Sequence, residues 1–196
     1  MRRTLRENLR YGGVFLKQSY RTRRRGRSKF VLLCDLSGSM VKYTEFILQF
    51  IYGLTALVSG IETFAFADRL VNLSPRLRLR QTFQEMLHAT MAEVAQEFGG
   101  GTNLASSLEE LLEHYSTSLS RRTILFILSD TQTLEGERAA KLLKATQGKV
   151  REILWLNTLP ERRWKEAKTV NLFQPHCQMF ECNTLGQLQR IIGARL

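Results

Sequence analysis

Several protein classes are excluded by what this 196-residue sequence has little of. Three cysteines are too few, and odd in number, for a disulfide framework. The charged N-terminus lacks the short apolar run of a secretory signal. Reduced thiols in a cytoplasmic protein are therefore expected. Three prolines, with 43% hydrophobic and 24% charged residues, do not fit a disordered chain. No stretch approaches the roughly 18 consecutive apolar residues of a membrane span. What remains is a globular chain whose length suits one α/β domain.

Acidic residues are also scarce: 18 Asp and Glu stand against 29 Lys and Arg, for a net charge of +11. Such an excess points first to a nucleic-acid partner, but its position argues otherwise. Residues 1–29 carry 11 of the bases and a single acid, Glu7, whereas residues 30–196 are within one charge of neutral. The sequence thus divides into a basic N-terminal arm, 1–29, and a nearly neutral domain, 30–196. Within the arm, Thr4 and Glu7 have the spacing of a capping box ahead of Leu5 and Leu9, and Gly12-Gly13 would end that helix. Arg21-Thr22-Arg23-Arg24-Arg25-Gly26-Arg27 is a solvated run, without the interleaved aromatics of a single-strand binder.

The domain reads as strands alternating with helices. Phe30-Val31-Leu32-Leu33-Cys34 and Thr123-Ile124-Leu125-Phe126-Ile127-Leu128 are apolar on both faces, as strands in the middle of a parallel sheet are. Each runs out at an aspartate, Asp35 and Asp130. Further strands are expected at 61–67, 70–73, 152–156 and 178–181. Ile47, Phe50, Ile51, Leu54 and Val58 recur at helical spacing, and Phe83, Leu87, Met91 and Val94 mark helical character over 78–98. Other helices are expected from Thr102 through Leu112, near 135–147, near 161–168 and from Thr184. This alternation implies an α/β fold, a Rossmann-like, mostly parallel central sheet with helices on both faces. Sites in such sheets lie at the carboxyl ends of the strands, so Asp35 and Asp130 should share that edge.

Asp35-Leu36-Ser37-Gly38-Ser39 sets one carboxylate and two hydroxyls at alternate positions just past the first strand. Gly38 is expected to permit the tight backbone path that turns them toward one point. Hard oxygen donors suit Mg2+ or Mn2+; Zn2+ would call for His or Cys. Thr102, after Gly99-Gly100-Gly101, and Asp130 can add further oxygens.

Asp35-x-Ser37-x-Ser39, the later Thr102 and the strand-terminal Asp130 resemble the metal-ion-dependent adhesion site (MIDAS) of von Willebrand factor A (VWA) domains. Arg3-Thr4-Leu5-Arg6, Asp35-Leu36-Ser37-Gly38-Ser39-Met40, Phe64-Ala65-Phe66, Gly100-Gly101-Thr102 and Trp155-Leu156-Asn157 are similar to its CoxE-like branch. The resemblance implies a VWA fold over 30–196 and a divalent cation, Mg2+ or else Mn2+, on Asp35, Ser37, Ser39, Thr102 and Asp130. In that family the serines and threonine bind the cation directly and the aspartates partly through water, and a partner's Asp or Glu completes the shell. It also implies a non-enzymatic adaptor working beside a MoxR-type AAA+ ATPase in metalloenzyme maturation, with carbon monoxide dehydrogenase as an example. One departure is visible: the family usually follows the last aspartate with glycine, whereas Thr131-Gln132-Thr133 stands here.

Blander readings compete at each feature. Asp35, Ser37 and Ser39 alone could be a helix-capping loop. Gly99-Gly100-Gly101 is not a P-loop, because no Gly-Lys-Ser/Thr follows. Ser37 or Ser39 as a nucleophile lacks both the G-x-S-x-G elbow and a nearby histidine in sequence. His176, Cys177 and Cys182 are a weak zinc set, and Trp155 and Trp164 read as packing residues. Two functional alternatives stay open. A metal-dependent hydrolase would show turnover that vanishes in Asp35→Ala. Nucleic-acid binding through the arm would fall steeply with salt and disappear when residues 1–29 are deleted; binding that survives the deletion rules the arm out as the interface.

Overall fold

The computed structural model describes residues 28–57, 60–79, 82, 84–85, 88–92 and 101–193. Residues 1–27 of the basic arm, with its expected capping box, lie outside the described residues, as do Val58, Phe83, Leu87, Val94, Gly99 and Gly100.

Six strands form one sheet: β1 (Lys29–Asp35), β2 (Ile61–Phe66), β3 (Leu70–Asn72), β4 (Thr123–Ser129), β5 (Glu152–Asn157) and β6 (Gln178–Glu181). Their spatial order is β3-β2-β1-β4-β5-β6. All neighbours run parallel except the edge pair β2 and β3. The two strands with continuous apolar runs, β1 and β4, sit side by side at the centre, where both faces are covered. Their register pairs Cys34 with Leu128, so Asp35 and Ser129 follow next in line at the carboxyl edge.

The helices with defined bounds among the described residues are α1 (Val41–Leu57), α2 (Ser74–Leu77), α3 (Leu104–His114), α4 (Gly136–Lys149), α5 (Lys168–Phe173) and α6 (Leu185–Gly193), and residues 84–85 and 88–92 are helical as well. Alternation along β1 assigns them to faces. Phe30, Leu32 and Cys34 pack with Ile47, Leu48 and Ile51 of α1 and Leu188 of α6. Val31 and Leu33 point the other way, against Leu104, Leu108 and Leu111 of α3, Ala139 and Leu143 of α4 and Phe173 of α5. The result is the expected α/β architecture, a mostly parallel sheet between two helical layers. No helix among the described residues is long and apolar enough to cross a membrane.

Two local expectations are corrected. The helix expected from Thr102 begins at Leu104, because Asn103 is its cap: the Asn103 side chain accepts from the Ser106 N–H at 3.1 Å. The helix expected near 161–168 is a 3-10 segment, Glu161–Glu166, followed by α5. The tight path expected at Gly38 is present as a 3-10 turn, Gly38–Met40, closed by Met40 N–H donating to the Ser37 carbonyl at 2.9 Å, with no residue of it in positive φ. An ordinary tight turn therefore aims the two serines. Cys177 and Cys182 flank β6 and pack on opposite faces, Cys177 with the α3/α4 cluster and Cys182 with the α1/α6 cluster, and no group of three His, Cys, Asp or Glu placed to hold a metal occurs there among the described residues.

Ile127, fully buried at mid-β4, tests the core. Ile127→Ala should lower unfolding free energy by about 3 kcal/mol in urea titration, whereas Leu134→Ala, at a side chain 63% exposed, should change it by less than about 0.5 kcal/mol.

Candidate metal centre

The site grows from the ends of β1 and β4. Asp35 terminates β1 and is fully buried. Its Oδ1 accepts from the Ser37 N–H at 2.9 Å, an Asx turn that reverses the chain within two residues. Its Oδ2 accepts from the Ser129 hydroxyl at 2.7 Å, which ties the loop after β1 to the end of β4. Leu36 N–H donates to the Phe66 carbonyl at 2.9 Å, tying the same loop to β2. The turn that follows leaves the Ser37 and Ser39 hydroxyl oxygens 3.3 Å apart, with Ser37 buried and Ser39 exposed.

Asp130 follows β4 and is also buried. Gln132 holds both of its oxygens: the backbone N–H donates to Oδ1 at 2.9 Å and the side-chain amide to Oδ2 at 3.0 Å. Between them Thr131 takes φ +69°, the left-handed region where the family's usual glycine is at ease. A β-branched residue there stores about 1–2 kcal/mol of strain.

Thr102 reaches the same edge through its neighbours. Gly101, at φ +84°, turns the chain in, and Asn103 N–H donates to the carbonyl of Ala67, just past β2, at 2.6 Å. The Thr102 carbonyl accepts from Leu134 N–H at 2.8 Å and from the Thr133 hydroxyl at 3.2 Å. The loops carrying Asp35, Ser37, Ser39, Thr102 and Asp130 are therefore linked to one another at the carboxyl edge.

This donor set fits a divalent cation. Two buried carboxylates have no basic side chain as partner among the described residues, and a buried charge left without a counter-charge is costly. Two hydroxyls 3.3 Å apart approach the spacing of about 3 Å between adjacent ligands around an octahedral Mg2+. All the donors are hard oxygens. No cluster of three or more His, Cys, Asp or Glu occurs among the described residues, so a zinc-type alternative has no support there. His114 closes α3, about 15 Å along the helix from its start at the site edge. His176 precedes β6 at the opposite edge of the sheet.

Burial pushes the Asp35 carboxyl up from its usual 3.8 to about 6; hydrogen bonds from Ser37 and Ser129 pull it back, and the charge of Asp130 adds to the rise. Burial likewise raises the Cys177 and Cys182 thiols to about 12, and that of Cys34 further, so none is a ready nucleophile or ligand.

Three participants escape a reading of the sequence: Ser129, Gln132 and Asn103. Ser129 had a signal, since it stands in register beside Asp35 once β1 and β4 are paired. Gln132 had none, because its side chain folds back on its own loop.

The chain belongs to the family described as VWA domain containing CoxE-like protein, which it matches over residues 1–191. Solved structures share the fold at low identity. Conserved hypothetical protein BatB from Bacteroides thetaiotaomicron is 15% identical, with a TM-score of 0.57 over 85% of this chain and 96% of that one. Manganese-loaded TRAP protein of Plasmodium vivax is 16% identical, with a TM-score of 0.51 over 80% and 69%. Proximal thread matrix protein 1 from the mussel byssus, with a zinc-occupied MIDAS motif, is 12% identical, with a TM-score of 0.55 over 86% and 46%. No curated protein matches the sequence.

The raised Asp35 pKa has a definite sign in the metal-free protein. The folded state holds the proton up to about pH 6 and the unfolded state releases it near 3.8, so stability falls as pH rises through that window. Full ionisation corresponds to about 3 kcal/mol, less the hydrogen bond that Asn cannot accept from Ser129. In EDTA, Asp35→Asn should therefore be more stable than wild type by about 2 kcal/mol at pH 7.5, with the gain vanishing toward pH 4. Urea unfolding across pH measures it.

Proposed function

We propose that this chain is a metal-ion-dependent protein-binding adaptor. The observation that carries this reading is the pair of buried carboxylates, Asp35 and Asp130, without a basic partner among the described residues and joined at one edge to the paired hydroxyls of Ser37 and Ser39. Asp35, Ser37, Ser39, Thr102 and Asp130 would hold the cation through their hard oxygens. Mg2+ is the cation expected in the cell and Mn2+ its substitute. Once bound, the ion supplies a positive field and an open coordination position, which a partner's Asp or Glu fills.

This chain's part is to hold the donors still. The Asx turn fixes Ser37, the 3-10 turn fixes Ser39, and Ser129 keeps Asp35 from swinging out. Manganese-loaded TRAP and the zinc-occupied mussel protein support the reading, since the shared fold accommodates cations in both. Membership in the CoxE-like family supports a MoxR-type AAA+ ATPase as the partner and the maturation of a metalloenzyme as the setting. ATP hydrolysis then belongs to the partner, and this chain is not an enzyme. Three free thiols, two of them buried, suit a cytoplasmic location.

The test has two arms. Mn2+ titration should give saturable binding to wild type and roughly 100-fold weaker binding to Ser37→Ala/Ser39→Ala, each hydroxyl contributing as a ligand to a charge. Co-purification with the MoxR-type ATPase of the same organism should be lost in EDTA and in that variant. Capture that is indifferent to both overturns the metal-bridged adaptor. Metal-stimulated turnover by the chain alone, abolished by Asp35→Ala, would establish the hydrolase instead.

A further inference from the structure

The metal-binding reading depends on Asp130 being aimed correctly, yet the residue after it is the strained one. We propose that Thr169, on α5, is a positioning residue for the metal site: its hydroxyl holds Thr131 in the left-handed conformation that aims Asp130. This inference rests on the metal reading and extends it to a helix that contributes no ligand.

The Thr169 hydroxyl donates to Thr131 Oγ1 at 3.1 Å, across 38 residues of sequence. Thr131 is 1% exposed, and this is the one hydrogen bond its side chain makes among the described residues. Its backbone N–H donates to Ser129 Oγ at 3.1 Å, the same oxygen whose hydrogen goes to Asp35. The residue that follows, Gln132, donates twice to Asp130. Thr131 is therefore the joint between the two carboxylates of the site. If it relaxes from φ +69° to an ordinary extended conformation, the next peptide turns and Gln132 N–H leaves Asp130 Oδ1. Burial of its hydroxyl against a fixed donor opposes that relaxation.

The donor is fixed because α5 is clamped at three places. Val170 and Phe173 are fully buried, and Phe173 stacks on Trp155 with ring centroids 5.1 Å apart. The Trp155 indole N–H donates to the Ser129 carbonyl at 3.1 Å, which returns the clamp to the strand end that carries the site. At Gly136 a Cβ would lie 3.3 Å from Thr169 Cγ2, so α4 starts in close contact with the same threonine. A six-residue helix placed this firmly next to a strained ligand loop acts as its strut. Glycine after the aspartate would make the strut unnecessary, because glycine takes positive φ without strain.

Mn2+ titration of the full chain, with amide hydrogen exchange at Gln132 in EDTA as a second readout, tests the strut. Thr169→Val keeps the shape and removes the donor; it should weaken Mn2+ binding about fivefold and speed exchange at Gln132. Thr169→Ser keeps the donor and should behave as wild type. Thr131→Gly should bind Mn2+ at least as well as wild type, and in that background Thr169→Val should have no effect. If Thr169→Val fails to fold, Thr169→Ala serves as the donor-less variant. Wild-type affinity and exchange in the donor-less variant, or an equal loss in the Thr131→Gly background, overturns the proposal. Wild type that takes up no Mn2+ overturns the metal reading and this inference together, an outcome distinct from the other two.

Discussion

A carboxylate buried at the end of a central strand is the constraint around which this molecule is arranged. Asp35 has no water to solvate it and no basic side chain beside it among the described residues, so neighbouring donors must satisfy it. Two do: the Ser37 N–H, which forces the tight turn, and the Ser129 hydroxyl, which requires β4 to lie in fixed register beside β1. The sheet centre supplies that register by burying apolar side chains on both faces. Core packing thus positions the site, and the site in turn draws on the stability of the core. An acid pushed up to about 6 by burial weakens the fold at neutral pH, the kind of local cost that binding sites impose.

The two halves of the site meet the same demand differently. The loop after β1 is relaxed: an Asx turn and a 3-10 turn present Ser37 and Ser39 without any residue in positive φ. The loop after β4 is strained at both ends, at Thr131 and again at Glu135, with φ of +69° and +50°. Glu135 is steadied by exposed contacts, accepting from Arg138 at 3.0 Å and from Asn103 at 3.3 Å, and exposed ion pairs of this kind contribute little. Thr131 is steadied by buried ones. The asymmetry makes the Asp130 loop the softer half, and it explains why packing from α5 matters there and has no counterpart at Ser37.

Most of the fold was legible because its signals are local or periodic. Apolar runs on both faces announce central strands, and Ile47, Phe50 and Ile51 at helical spacing announce α1. The strand-terminal aspartates and the Asp-x-Ser-x-Ser spacing marked the site edge for the same reason. What stayed hidden depends on contacts between distant segments. Nothing near Thr169 in sequence says that it faces Thr131, and α5 is too short for a periodic pattern to show. Asn103 hid behind Thr102, since either residue type caps a helix and only the backbone decides. Gly38 was legible as a tight turn, though the 3-10 form of that turn depends on backbone that the sequence does not specify.

Charge closes the argument. On the proposed reading the groups bound directly, the hydroxyls of Ser37, Ser39 and Thr102, are neutral, so the cation would remain a strong attractor for an anionic ligand. A partner's carboxylate at the open position would be the first anionic ligand bound directly, so on the proposed reading cation and partner bind cooperatively. Linkage makes this reciprocal: whatever factor the partner adds to cation affinity, the cation adds to partner affinity. The surplus of Lys and Arg that dominates the whole-chain charge is concentrated in residues 1–29, and the sequence beyond is nearly neutral. A nearly neutral domain makes the local field at Asp35 and Asp130 the discriminating one. On the proposed reading selectivity would come from one cation and one carboxylate at the sheet edge, where a general basic surface would attract any acidic molecule.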